Sequence, residues 1–229
     1  MDTNRHKFFM LQLLKEIFSD ALLSSVLAFK GGTALMFFHN LPRFSTDLDF
    51  NLLDKEKEQA VYARLRQIFL KYGTIHDDAV KFYGIIIVLD YGVGERKLKI
   101  EVSNREHGDH YEIKNYLGLP MRVMTVEDMF SHKLCALLDR TEITGRDVFD
   151  CWFFLKERVS LNKDIVEKRM GMPLPEYLDK CIDTIGQLPE KNILNGLGEL
   201  TEGSVKEFVR KGLKDELISL LNCYKVYPL

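Results

Sequence analysis

The chain has 229 residues, of which 46% are hydrophobic and 29% charged, and its net charge is −2. That length suits one large or two small globular domains, and the near-neutral charge argues against a protein that coats nucleic acid nonspecifically, since such affinity grows with the phosphates neutralised. No apolar run approaches the roughly 18 residues of a membrane span, and Asp2, Arg5, His6 and Lys7 precede Phe8 without a small-residue cleavage site, so a cytoplasmic protein with no membrane partner is expected.

Cys135, Cys151, Cys181 and Cys223 lack C-x-x-C spacing and predict buried thiols rather than zinc or a disulfide framework. Taken in order, Phe8, Leu11, Leu14, Ile17, Phe18, Leu22 and Leu23 have a helical period and predict one helix over 7–27, laid on a sheet edge. Residues 26–29 read as a short strand delivering Gly31 and Gly32. A helix over 33–38 follows and stops at Leu41-Pro42, because the residue before proline disfavours helical dihedrals. Arg43 and Ser45 lie in the loop beyond it, and a strand then carries Asp47, Leu48, Asp49 and Phe50. In an extended chain alternate side chains share a face, so Asp47 and Asp49 stand about 6–7 Å apart at their Cα atoms while Leu48 and Phe50 enter the core.

Two carboxylates on one face repel each other unless a cation or open water lies beside them. Oxygen-only ligands favour Mg²⁺ or Mn²⁺, and two such ions about 3.5–4 Å apart serve in-line phosphoryl or nucleotidyl transfer. Gly31-Gly32-Thr33 supplies small residues and N–H groups where a helix begins, a turn that suits phosphate. Each feature alone is unspecific: Gly-Gly turns are common, and most D-x-D pairs are solvated strand ends.

Asp54-Lys55-Glu56-Lys57-Glu58 opens a crossover helix with a buried stripe of Val61, Leu65, Ile68 and Phe69, ending by Gly73. Two strands, 85–89 and 98–103, form a hairpin about a turn over 91–95. In the second, Leu98, Ile100 and Val102 form one face and Lys99, Glu101 and Ser103 the other. Alone this is a solvent-facing strand. Beyond Pro120 the pattern turns helical. Thr125 is the expected N-cap of a helix through Leu138, in which Lys133 lies among apolar neighbours and needs an anion for its ammonium, or else snorkels at the helix edge. Gly145-Arg146-Asp147 opens the next helix with Asp147 and Asp150 on one face; Asp147 suits the helix N-terminus, and Asp150 suits a lysine such as Lys133. Helices are also predicted over 163–170, 176–188 and 205–224, and the basic runs at 96–99, 163–169 and 206–214 read singly as solvated faces.

Lys30-Gly31-Gly32-Thr33-Ala34-Leu35 followed by Arg43-Phe44-Ser45-Thr46-Asp47-Leu48-Asp49-Phe50 resembles the polymerase-β-like nucleotidyltransferases and, more narrowly, the AbiEii/AbiGii toxin family. K-x-E-x-S at Lys99, Glu101 and Ser103, the lysine Lys133, and R-D-x-x-D at Arg146, Asp147 and Asp150 are similar to that family's later motifs, and the likeness covers about 28–155. The resemblance implies an α+β fold, with a nucleotidyltransferase core of a small mixed sheet flanked by helices over 1–120 and a helical region over 121–229. It implies Mg²⁺ or Mn²⁺ on Asp47, Asp49 and Glu101 and an NTP substrate. Lys30, Gly31, Gly32, Thr33, Arg43, Ser45, Lys99, Ser103, Asp147 and Asp150 would line the nucleotide's binding site, and Lys133 would face its phosphates. The implied acceptor is RNA, particularly the 3′ end of tRNA, and the implied partner is a cognate antitoxin acting with or without stable contact. Two other readings stay open on the sequence: transfer to a protein or small-molecule hydroxyl, and an inactive binding module.

Overall fold

Alternation around Asp49 puts Leu48, Phe50 and Leu52 on one face of their strand, and that face is buried. The computed structural model describes residues 2–92, 94–140, 142–193, 196–197, 200–201 and 203–228; Val93, in the turn predicted over 91–95, lies outside them. The elements are α1 (Thr3–Ser19), α2 (Ala21–Val26), β1 (Leu27–Lys30), α3 (Gly31–Phe38), β2 (Leu48–Leu52), a 3₁₀ turn (Lys55–Lys57), α4 (Glu58–Phe69), β3 (Thr74–Lys81), β4 (Gly84–Asp90), β5 (Leu98–Ser103), β6 (Tyr111–Tyr116) and β7 (Leu119–Met124). The helices α5 (Val126–Asp139), α6 (Gly145–Lys156), α7 (Lys163–Met170), α8 (Leu174–Gln187), α9 (Glu190–Ile193), α10 (Gly203–Lys211) and α11 (Leu213–Val226) complete the chain.

The chain forms two compact units: Met1–Asn40, Phe44–Glu106 and Tyr111–Met124 make the first, and Leu41–Arg43, His107–His110 and Thr125–Leu229 the second. The first holds a seven-stranded mixed sheet among the described residues, in the order β3-β4-β5-β2-β1-β7-β6. β2 runs parallel to β5 and β1 parallel to β7; the other neighbours are antiparallel. The class is α+β, as expected. One sheet face buries Phe29, Phe50, Ile85, Ile87, Leu98, Ile100 and Val102. The other carries a row fixed by strand register: Ala79, Ile86, Glu101, Asp49 and Lys30, one residue from each of five adjacent strands.

Several elements differ from the sequence expectation for identifiable reasons. The helix predicted over 7–27 is broken at Asp20, whose carboxylate accepts from the N–H groups of Leu22 and Leu23 and so starts α2. It covers the middle of the sheet rather than its edge, since Phe18 meets Phe50 of central β2 at 6.2 Å between ring centroids. α3 stops at Phe38, ahead of Leu41-Pro42, where Asn40 turns left-handed at φ 56°. Strands β3, β6 and β7 were unexpected: β3 and β6 are charged edge strands, and β7 admits Pro120 near its start, opposite Asn115. Thr125 caps α5 without a side-chain bond, the helix predicted over 205–224 is split at Gly212, and Cys223 is exposed although the other three thiols are buried. No helix among the described residues is long and apolar enough to cross a membrane.

The second unit is helical, with α6 against α5 and α11, and α8 against α7 and α11. Its core includes Phe130, Phe149, Phe154 and Tyr177, whose hydroxyl donates to the Leu134 carbonyl at 2.8 Å. In the first unit Phe50 is wholly buried and lies 5.3 Å from Phe29 between ring centroids. Phe50→Ala should therefore cost about 3–5 kcal/mol, read as a fall in the urea midpoint.

Candidate active site

The acids are assembled by register before any side chain chooses a rotamer. Lys30 pairs with Asp49 across β1 and β2, and Asp49 with Glu101 across β2 and β5, so one row presents cation, acid and acid at strand spacing of about 4.8 Å. Asp47 directly precedes β2. Lys99, two residues before Glu101 on the same face, puts its ammonium 3.1 Å from a Glu101 oxygen and 3.7 Å from an Asp47 oxygen. Burial, then the nearby charges of Asp47 and Glu101, push the Asp49 carboxyl above the usual carboxylate range, against Lys30 and Lys99. Burial would lower the Lys99 ammonium, but Asp47, Glu101 and Asp49 outweigh it and hold Lys99 above its ordinary value.

The turn before α3 is shaped around these acids. Gly31 has φ +79°, and a Cβ there would lie 2.4 Å from an Asp49 oxygen, so only glycine lets the chain pass Asp49 this closely. Gly32 and Thr33 are buried, and the Thr33 hydroxyl donates to the Asp47 carbonyl at 2.5 Å. Ser45 is buried, and Ser103 accepts from the Arg105 N–H. A group not singled out in the sequence supports the same loop from behind. Buried His6 donates from Nε2 to the Thr46 carbonyl at 2.8 Å and accepts at Nδ1 from the Tyr91 hydroxyl, an arrangement that needs the neutral ring; burial lowers its pKa, outweighing the Thr46 bond. The partners are 40 and 85 residues away, so no local pattern announces the contact.

In the helical unit the Lys133 ammonium lies 2.8 Å from Asp150 and 3.6 Å from Asp147, which satisfies the demand for an anion. Arg43 grips both Asp150 oxygens at 2.6 Å, while Arg140 and the Thr144 hydroxyl reach Asp147. Asp147 and Asp150 are 1% and 0% exposed, so they act on Lys133 and Arg43 rather than presenting a surface of their own. Burial would raise Asp150, but Arg43 and Lys133 overcome it and hold the carboxyl at about 2.

The oxygen-only set of Asp47, Asp49 and Glu101 fits a hard divalent cation in chemistry, and the raised Asp49 carboxyl marks a place where positive charge is wanted. The three are not drawn into a cage: among the described residues no three His, Cys, Asp or Glu side chains are grouped to hold a metal ion. The Lys99 ammonium reaches two of them.

The family model for the nucleotidyl transferase AbiEii toxin of type IV toxin–antitoxin systems matches residues 12–220. The chain belongs to this family. It is thus a nucleotidyltransferase of a toxin–antitoxin pair, and His6 lies outside the matched residues. The crystal structure of JHP933 from Helicobacter pylori aligns with a TM-score of 0.61 at 22% identity, covering 98% of this chain and 92% of that one. A Helicobacter pylori protein provisionally assigned as a nucleotidyltransferase aligns with a TM-score of 0.61 at 19% identity, over 98% and 95% of the two chains. At such identities the likeness is one of fold. No match is found among curated proteins.

Removing the charge at Asp49 relieves repulsion from Asp47 and Glu101, so Asp49→Asn should unfold at the same or a higher temperature than the parent; a clear fall would mean that Asp49 is structural. Asp150 has the opposite sign. Its folded value of about 2 lies below the ordinary 3.8, so its contribution to stability is whole above about pH 4 and is lost as pH falls from there toward 2. The deficit of Asp150→Asn in urea midpoint should accordingly be constant near neutrality and shrink between pH 4 and 2.

Proposed function

We propose that this chain transfers a nucleotide from an NTP to the 3′ end of an RNA, with tRNA the acceptor the family resemblance favours and Mg²⁺ the cation. The observation that carries the reading is the row Lys30, Asp49 and Glu101, flanked by Asp47 and Lys99. Asp47, Asp49 and Glu101 would hold the cation, which when bound neutralises charge on the triphosphate. The acceptor oxygen bonds to the α-phosphorus, the bond from that phosphorus to the bridging oxygen of the β-phosphate breaks, and pyrophosphate leaves. Glu101, half-exposed and hydrogen-bonded by Lys99, takes the proton of the attacking hydroxyl or orients it. Lys30 and Lys99 balance the acids before the nucleotide arrives, and Gly31 and Gly32 bring backbone to the phosphates. Lys133, with Asp147 and Asp150 fixing its ammonium, is the residue of the helical unit assigned to phosphate charge. The cognate antitoxin acts by repressing transcription or by countering the enzyme without lasting contact.

The test is incubation with each labelled NTP, Mg²⁺, total cellular RNA and lysate. Label should enter RNA, Asp49→Asn should abolish most of it, and Lys133→Met should raise the KM for NTP while the protein stays folded. Undiminished Mg²⁺-dependent transfer by folded Asp49→Asn would end this reading; label confined to protein would remove the RNA acceptor.

A further inference from the structure

The β3–β4 hairpin closes at the pair Lys81 and Gly84, which leaves Phe82 and Tyr83 as a two-residue loop. Such loops ordinarily take Gly, Asn or Asp, whose backbones accept the positive φ that tight hairpin turns require. Phe82 and Tyr83 take no positive φ; the turn instead relies on Gly84 at φ +127°, where a Cβ would lie 1.9 Å from the Val102 carbonyl oxygen. Neither ring serves the core either: Phe82 is 86% exposed and Tyr83 55%. The turn therefore does not call for aromatic residues and burial argues against them, and such breaches of folding logic concentrate where function demands them.

The tip is also fixed in place. The Asn104 backbone N–H donates to the Tyr83 carbonyl at 3.2 Å, and its amide donates to the Phe82 carbonyl at 3.3 Å and to Glu58 at 2.9 Å. The rings meet edge to face at 4.8 Å, and the Arg105 guanidinium lies 4.0 Å from the Tyr83 ring centre. Exposed Lys81 adds a second cation. Gly84 is the register partner of Ser103, two residues beyond Glu101 on the acid-bearing face. Strand rise and spacing therefore put the tip about 10 Å from Glu101.

We propose that Phe82 and Tyr83, backed by Arg105, form a stacking platform for a single-stranded RNA acceptor, holding a base two or three nucleotides from the reacting end. The inference rests on the RNA reading above. Rigid aromatic rings beside guanidinium groups are how proteins hold single strands without reading sequence, because every base offers a π-face and the cation serves the backbone. At about 3.4 Å per stacked nucleotide, two to three nucleotides span the distance to Glu101.

The test compares the parent, Phe82→Ala/Tyr83→Ala and the ring-keeping Phe82→Tyr/Tyr83→Phe, using labelled NTP and unfractionated tRNA. The double alanine variant should raise the KM for tRNA about ten- to a hundredfold, with the KM for NTP and the melting temperature nearly unchanged. The ring-keeping variant should restore parental values, which separates stacking from any structural effect. Unchanged tRNA kinetics in the alanine variant overturn the platform but leave nucleotide transfer to RNA standing, as does an equal rise in the KM for NTP. A parent that labels protein and no RNA overturns both the platform and the acceptor reading.

Discussion

Placing Asp49 beside Asp47 and Glu101 in a partly dehydrated row is the constraint to which the sheet unit answers. Each neighbouring residue makes sense as a response to it. Lys30 and Lys99 supply charge, Gly31 gives up its side chain so that the backbone clears the Asp49 oxygen, and Thr33 and His6 hold the carbonyls of Asp47 and Thr46. An aspartate whose carboxyl is pushed upward is unfavourable for stability at neutral pH, and a fold keeps such an arrangement when it is waiting for a cation or an anionic substrate bound through one.

The helical unit treats the same residue type the other way. Asp150 is fully buried like a core residue, yet a bidentate arginine and a lysine hold its carboxyl at about 2. Here the acids are the scaffold: the direction of the Lys133 ammonium is set by the two carboxylates beside it. Removing one partner of a buried network of this kind leaves the others uncompensated, which is why Asp150 ought to matter more for folding than Asp49 does.

Much of this was legible in the chain, for reasons tied to range. Alternation across Leu48, Asp49 and Phe50, the faces of Lys99 and Glu101, and the stripe of Val61, Leu65, Ile68 and Phe69 are local patterns with a fixed period, and the buried faces agree with them. The pairing of Lys133 with Asp150 followed from the cost of a lysine among apolar neighbours. What stayed hidden was either non-local or contrary to propensity. His6 finds Tyr91 and Thr46 only through the fold, and β3, with His76, Asp77 and Asp78, lacks the apolar alternation of a core strand because it lies on the sheet's edge. The loop of Phe82 and Tyr83 has its turn signal outside the loop itself, in Gly84.

The near-neutral charge gives that loop its significance. A protein of net charge −2 cannot rely on a broad positive field, and an RNA bound through few phosphate contacts releases few counterions. On the RNA reading, contacts that do not depend on bulk charge then carry a larger share of the affinity. Base stacking is such a contact, and it tolerates any sequence while still fixing distance. A platform about 10 Å from Glu101 would measure off the last few nucleotides of a strand, and so select for a free, flexible end rather than the interior of a duplex, whose bases are already stacked on one another.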